Sequence, residues 1–379
     1  MFSYHFQCEE QIPSPALIYY RDLIEANTAE AIRIAGDAGR MWPHVKTHKM
    51  RQMIQMQMDM GIRRFKCATI AEMHLAAECG AEHILWAYPV IGPCVPQFLS
   101  LIPQYPNRTF YALEDDPDAL RALSNAAATR GLCVNVLLDV NVGMNRTGIA
   151  PEAAEDFYRA AESLPGVRLL GLHCYDGQIH DPVFDDRLRH AAQTVNAAGE
   201  IRQCLLQKGF DAEILILGGT PTFPCHAGVA DAFLSPGTIF VSDAGYHSAY
   251  PDIGVTPAAA ILTRVVSHPA DGLFTLDCGY KALSADPNPR GVLVGFEDKC
   301  KPVLSSEEHW VFEMSPDYRD QRPPIGSVQY VIPTHVCPTT YLYDAAYVCS
   351  QGRLVDIWKV AARDRVGSVT LDEVLAYHG

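Results

Sequence analysis

A lysine stands in the segment Pro43-His44-Val45-Lys46-Thr47-His48-Lys49, which reads as the end of a short, half-buried strand. Strand ends that face a cavity are where α/β proteins keep reactive groups. A lysine desolvated there can lose its proton and attack a carbonyl, which makes Lys46 the candidate nucleophile. Taken alone, the seven residues equally describe solvated lysines beside a helix start. Further along, Leu217-Gly218-Gly219-Thr220-Pro221-Thr222 follows an apolar run, and glycines there let backbone N–H groups close on an anion while Thr220 adds a hydroxyl donor. Ser235-Pro236-Gly237-Thr238 repeats that small, donor-rich chemistry one strand later, so Gly219, Thr220, Gly237 and Thr238 form a candidate phosphate cradle, each turn also being an ordinary turn. Arg146, in Gly143-Met144-Asn145-Arg146-Thr147-Gly148, can hold a phenolate or carboxylate in its fork, and its plain alternative is a surface arginine. His173 and Tyr175 alternate on one strand face, as a packed core pair would too. His335 and Cys337 close an apolar strand two residues apart, so both project to one side, and an imidazole with a thiolate suits Zn²⁺.

The elements that must position these residues alternate regularly. Strands are predicted over 42–46, 64–68, 83–88, 109–113, 134–139, 169–175, 213–217 and 237–241. Helical patterns lie between them at 70–78, 116–130, 151–163 and 185–207, and another at 25–35 precedes the first. Eight strands each followed by a helix describe a (β/α)8 TIM-type barrel, whose reactive residues gather at the carboxyl ends of the strands. After residue 255 the texture changes to short β-like runs at 261–267, 273–277, 291–294, 310–314, 328–332 and 341–348, with helix returning only in the last few residues. The expected division is an α/β barrel over 14–255 and a C-terminal antiparallel β domain over 256–379, joined by residues 1–13.

Composition narrows the partners. The 379 residues are 48% hydrophobic and 20% charged, as in an ordinary globular chain. A formal net charge of −14 argues against nucleic acid and anionic membrane and for a small-molecule substrate. Twelve cysteines without any CxxC pair read as reduced thiols, and with no signal segment the expected location is cytoplasmic. The apolar runs are strand-sized, too short to span a membrane.

Together these segments, with Tyr175-Asp176-Gly177 and Asp277-x-Gly279-x-Lys281-x-x-Ser284, resemble the D-threonine aldolase and D-serine dehydratase family of alanine racemase-like pyridoxal 5'-phosphate (PLP) enzymes, over about residues 14 to 363. The resemblance implies a PLP-dependent lyase acting on D-β-hydroxy-α-amino acids, by dehydration or retro-aldol cleavage, and a homodimer. It gives Lys46 the Schiff base, Arg146 the cofactor's phenolic oxygen, Tyr175 the side of the pyridine ring, and Gly219, Thr220, Gly237 and Thr238 the phosphate. His335 and Cys337 take a divalent metal, Zn²⁺ first, with Mn²⁺ or Mg²⁺ as alternatives. His-x-Cys is similar to the dehydratase branch, which tilts the reading toward dehydration. Trp42 and Gln178 depart from the residues common at their positions. D-threonine aldolase proper, a metal-free amino-acid racemase and a non-catalytic PLP-binding protein remain as alternatives, the racemase needing a second base that no residue announces.

Overall fold

The structure, a computed structural model, describes residues 2–365. By internal contact the chain forms two units. One holds residues 38–180, 187–236 and 361–365; the other holds the residues up to 37, 181–186 and 237–360.

The first strand, β1 (Ala16–Tyr20), belongs to the second unit. The barrel unit contains β2 (Arg64–Cys67), β3 (His83–Pro89), β4 (Thr109–Glu114), β5 (Val134–Asp139), β6 (Val167–Cys174), β7 (Ile214–Leu217) and β8 (Phe233–Leu234), parallel and paired in chain order. Two expected staves take another form. Residues 42–46 are not a regular strand: Met41 bridges Leu234, His44 bridges Lys66, and Val45–Thr47 turns into a 3-10 helix. Trp42 N donates to Leu234 O at 2.8 Å and Lys66 N donates to Pro43 O at 2.7 Å, so this short segment joins the last strand to the first. The last strand is 233–234, whereas 237–241 opens as a 3-10 helix, Thr238–Phe240. Pro236 at the end of that run lacks the N–H a continuing ladder needs.

The helices follow the predicted apolar spacing. Asp116 caps Pro117–Thr129 by accepting from the N–H groups of Asp118 and Ala119, and Thr69 caps Ile70–Cys79 from Glu72 N. Trp42, Leu85, Tyr111, Leu113, Leu137 and Ile216 form one buried cluster on the sheet's inner face. The indole N–H of Trp42 donates to Phe65 O at 2.9 Å, so a large side chain fills the centre without leaving a polar atom unpaired.

The second unit is a nine-stranded, mostly antiparallel sheet. In it β1 lies between β9 (Ala259–Ser267), antiparallel, and β15 (Ala345–Ser350), parallel. The five residues Ala-Leu-Ile-Tyr-Tyr of β1 are all buried, which explains a continuous apolar run without alternation. The remaining strands are β10 (Leu273–Leu276), β11 (Gly291–Leu293), β12 (Cys300–Ser305), β13 (Trp310–Met314), β14 (Val328–Pro333) and β16 (Arg353–Lys359). Of these, β12 and β16 escape the sequence reading because they are largely exposed and carry few apolar residues in step. Residues 336–341, which include Cys337 from the expected strand end and the first residue of the predicted strand 341–348, are helical. The helix expected in the last few residues falls outside the described residues.

Candidate active-site groups in the two units

At the barrel's carboxyl end, Lys46 sits in the 3-10 turn Val45–Thr47 with its side chain exposed. His44, just before it, accepts from Lys46 N through Nδ1 at 3.2 Å. Lys49 differs sharply: it is buried and paired with the fully buried Glu72. Burial, followed by the nearby Lys46, Lys66, Lys49 and His173, pushes His44 well below the usual imidazole range. Burial and Lys49 push His48 down to about 3. Both rings are therefore neutral at physiological pH.

One buried group escaped the sequence reading. Lys66, on β2, is 3% exposed and reaches His173 Nε2 at 3.3 Å. His173 Nδ1 lies 2.7 Å from Asp139 Oδ1, and Asp139 Oδ2 accepts from Thr147 Oγ1 at 2.7 Å. The series runs from β2 through β6 and β5 into the Arg146 loop. Burial first, then Lys46 and Arg146, bring Lys66 down to about 7, against Asp139 and Asp176. Although burial opposes it, Asp139 is held below its ordinary value by hydrogen bonds from His173 and Thr147 and by Lys66. The available signal was a lysine inside the buried strand 64–68, a position at which an unpaired charge is costly.

Arg146 is exposed, has no carboxylate partner among the described residues, and sets its guanidinium carbon 4.7 Å from the centroid of the half-buried Tyr175 ring. Gly219 lies against the same ring: a Cβ there would come within 2.7 Å of Tyr175 Cε2, and one at Gly177 within 2.3 Å of Cε1. Gly218 adopts a φ of 72°, and a Cβ there would meet His226 at 2.6 Å. Beneath this turn Asp176 accepts from Thr222 Oγ1 and pairs with His226 Nε2, both at 2.7 Å, and Gly219 N donates to Thr222 Oγ1 at 3.3 Å. Thr220 follows, buried. Glu114, at the end of β4, accepts from Val90 N at 3.2 Å and leaves Oε2 unpartnered, and burial raises it to about 8. The result is a glycine-floored end carrying Lys46, Lys66 and Arg146 in a chain of net charge −14. Such a floor fits a flat, phosphorylated aldehyde cofactor: one exposed amine, an aromatic face, a guanidinium without its anion, and donors at a glycine turn.

The β unit gathers the other predicted residues. Gly237 and Thr238 lead into the 3-10 turn Thr238–Phe240, and Thr238 Oγ1 lies 3.4 Å from Cys337 Sγ. His335 and Cys337 do not project from a strand. β14 stops at Pro333, His335 is the N-cap of the helix Val336–Tyr341, and Cys337 lies in its first turn. Their side chains still meet: a hydrogen bond to Cys337, ahead of one to Asp286, raises His335 to about 9. Asp286 is the second residue the sequence reading missed. It holds His335 Nδ1 and accepts from Ser284 Oγ. Asp243 accepts from Val336 N at 3.0 Å and fixes the helix start, while burial lifts its carboxyl to about 6. No group of three or more His, Cys, Asp or Glu side chains among the described residues is arranged to hold a metal. A two-donor open site fits the pair, because a carboxylate on Nδ1 fixes the ring and its tautomer with Nε2 as the ligating atom.

Comparison with known proteins completes the description. The family profile described as alanine racemase, N-terminal domain, matches residues 20–243, and the one described as a putative serine dehydratase domain matches 258–349. The D-threonine aldolase of Arthrobacter sp is 28% identical over 327 residues, covering 85% of this chain and 84% of that protein. The 3-hydroxy-D-aspartate aldolase of Paracoccus denitrificans (strain Pd 1222) is 26% identical over 374 residues, 94% of each chain. The crystal structure of D-threonine aldolase from Filomicrobium marinum superposes with a TM-score of 0.83 at 27% identity, covering 93% of this chain and 96% of that one.

Proposed function

Because this chain belongs to the alanine racemase N-terminal-domain family, we propose that it is a PLP- and divalent-metal-dependent lyase acting on D-β-hydroxy-α-amino acids, by dehydration or retro-aldol cleavage. The observation that carries this reading is the cationic, glycine-floored barrel end, with one exposed lysine beside buried polar partners. Relatives named for D-threonine and 3-hydroxy-D-aspartate cleavage support the substrate class.

Lys46 would hold the cofactor through its amine and would move a proton at the substrate's Cα. Bound PLP supplies a ring that withdraws electrons from Cα. Arg146 orients the cofactor through its fork, the Tyr175 ring gives it a flat neighbour, and the Gly218–Thr220 turn, with Gly237 and Thr238, binds its phosphate. The buried run Lys66, His173 and Asp139, which ends on the exposed Thr147, keeps the Arg146 loop in register with the strand ends. His335 and Cys337 hold the metal, Zn²⁺ first and Mn²⁺ or Mg²⁺ as alternatives, which supplies Lewis acidity toward the substrate's β-oxygen. Asp286 keeps the imidazole in its ligating tautomer.

Incubating the protein with D-serine and D-threonine and assaying keto acid, glycine and L-isomer tests the reading. Keto acid is the first outcome expected, because the His335-x-Cys337 spacing is similar to that of the dehydratase branch. Glycine with an aldehyde makes the enzyme an aldolase, and L-isomer alone, unaffected by chelation, sinks the lyase in favour of a racemase. The working species is proposed to be a cytoplasmic homodimer, which sedimentation of the active protein checks. No helix among the described residues is long and apolar enough to cross a membrane, and the cysteines are free thiols.

A further inference from the structure

The β unit carries a second concavity, of about 310 Å³, that the mechanism above leaves unused. Tyr280, Asn288, Arg290, Val303, Ser305 and Trp310 line it. Arg290 is its unusual member. The residue is 6% exposed, and its guanidinium carbon lies 4.4 Å from the Trp310 ring centroid and 4.8 Å from that of Tyr280. Nη1 reaches Leu283 O at 3.3 Å, and Nη2 reaches Cys278 O at 3.4 Å and Ser305 Oγ at 3.2 Å. These are long contacts to neutral acceptors, and Nε has none.

Among the described residues no carboxylate pairs with Arg290. Asp286, four residues earlier, is engaged by Ser284 and His335. A buried charge without a counter-ion is costly, and cation–π contacts with two rings offset only part of that cost. The guanidinium edge is the natural fork for a planar, two-oxygen anion. Positively charged and unneutralised in a chain of net charge −14, the pocket is built for an anion, and its volume suits a small one.

We propose that this concavity is a carboxylate-binding site in which Arg290 is the cation and Ser305 and Asn288 flank the bound group. The carboxylate has two sources. It is either the side-chain carboxylate of a hydroxyaspartate-type substrate or a free small carboxylate acting as an effector. Only the first rests on the function proposed above. It is favoured by chain adjacency, because Ala285 and Pro287, which also line the pocket, flank the Asp286 that holds His335.

Calorimetric titration of the full-length protein with malonate, in excess PLP and against chloride at equal ionic strength, reads the site directly. Wild type is expected to bind malonate saturably, and Arg290→Gln to lose at least tenfold in affinity. Ser305→Asp sets a carboxylate of the protein's own beside the guanidinium without removing it, and should lose as much; the exposed Asn288→Asp serves the same purpose if Ser305→Asp does not fold. Malonate affinity unchanged in a folded Asp variant, or no saturable binding by wild type, overturns the proposal. With paired substrates, the substrate source predicts that the Asp variant raises KM at least tenfold for 3-hydroxy-D-aspartate and leaves that for D-threonine in place. The effector source predicts unchanged KM values and loss of malonate's effect on the rate. An inactive enzyme with intact malonate binding would sink the functional reading and leave the site standing.

Discussion

The two groups of candidate residues are held in opposite ways. At the barrel end most supporting side chains are buried: Lys49 faces Glu72, Lys66 faces His173 and Asp176 faces His226, while Lys46 and Arg146 are exposed. In the β unit the His335 and Asp286 side chains are roughly half exposed, and a single carboxylate orients the imidazole. The first group is preorganised by packing and by charges that cannot relax. The second is poised by a few surface hydrogen bonds, and under the reading proposed above it would gain its rigidity from the ion. The barrel end should therefore be intolerant of change, and the proposed metal pair tunable.

The largest effect expected is chemical. Lys46→Ala should abolish borohydride trapping of PLP on the protein and lower turnover by roughly 10³-fold or more, since it removes the proposed covalent partner. Mass spectrometry of the reduced protein checks it; label that survives in Lys46→Ala and disappears in Lys49→Ala would reverse the assignment. Lys49→Met should instead act on stability. Removing one partner from the buried Lys49 and Glu72 pair leaves a charge without compensation, at a cost of about 3–5 kcal/mol. A urea midpoint close to wild type would show that the barrel end is less preorganised than its burial suggests.

A third test uses pH. Glu114 has a folded value of about 8 against 4.5 in a free chain, so between those limits the unfolded protein is ionised while the folded one keeps its proton. Stability should then fall as pH rises from 4.5 to 8, by up to a few kcal/mol. Glu114→Gln stays neutral and escapes this loss: it should match wild type below pH 4.5 and exceed it above pH 8. Parallel stability curves for the two proteins across that window would count against a protonated Glu114. The smallest effect belongs to the other unit. Asp286→Ala should weaken Zn²⁺ binding by about 10–100-fold while leaving PLP capture intact, as read by competition with a chromophoric chelator. A loss of PLP capture in that variant would mean that the two groups are not separable in the way their construction implies.

Much of this was legible in the amino-acid order. Alternating strand and helix patterns located the seven parallel strands within a few residues except the last, because most of them carry a largely buried apolar run of strand length. The His335 and Cys337 pairing was expected for the wrong local reason: the two meet across a helix cap and not along a strand, yet a two-residue spacing brings them together either way. What stayed hidden depends on tertiary neighbours. Nothing around Ala16–Tyr20 says that it inserts between strands more than two hundred residues away. Lys66 looks like any lysine until β5 and β6 bring Asp139 and His173 against it, and Asp286 like any loop acid until His335 arrives from a helix cap 49 positions later. Trp42, by contrast, announced a departure whose reason is now physical: its indole belongs to the barrel's packed interior.

The joining segment around Trp42 and His44 also sets a timetable. It is the first part of its unit to leave the ribosome, and its partner Ser235 lies 193 residues downstream. At about 5–20 residues per second the nascent chain waits on the order of 10–40 s before that partner exists. Lys46 sits two residues beyond His44 on the same segment, so its amine reaches its final setting only when the ring of strands has been sealed. Loading of the cofactor then has to wait for that closure, and a chain truncated before residue 233 should be unable to capture it at all.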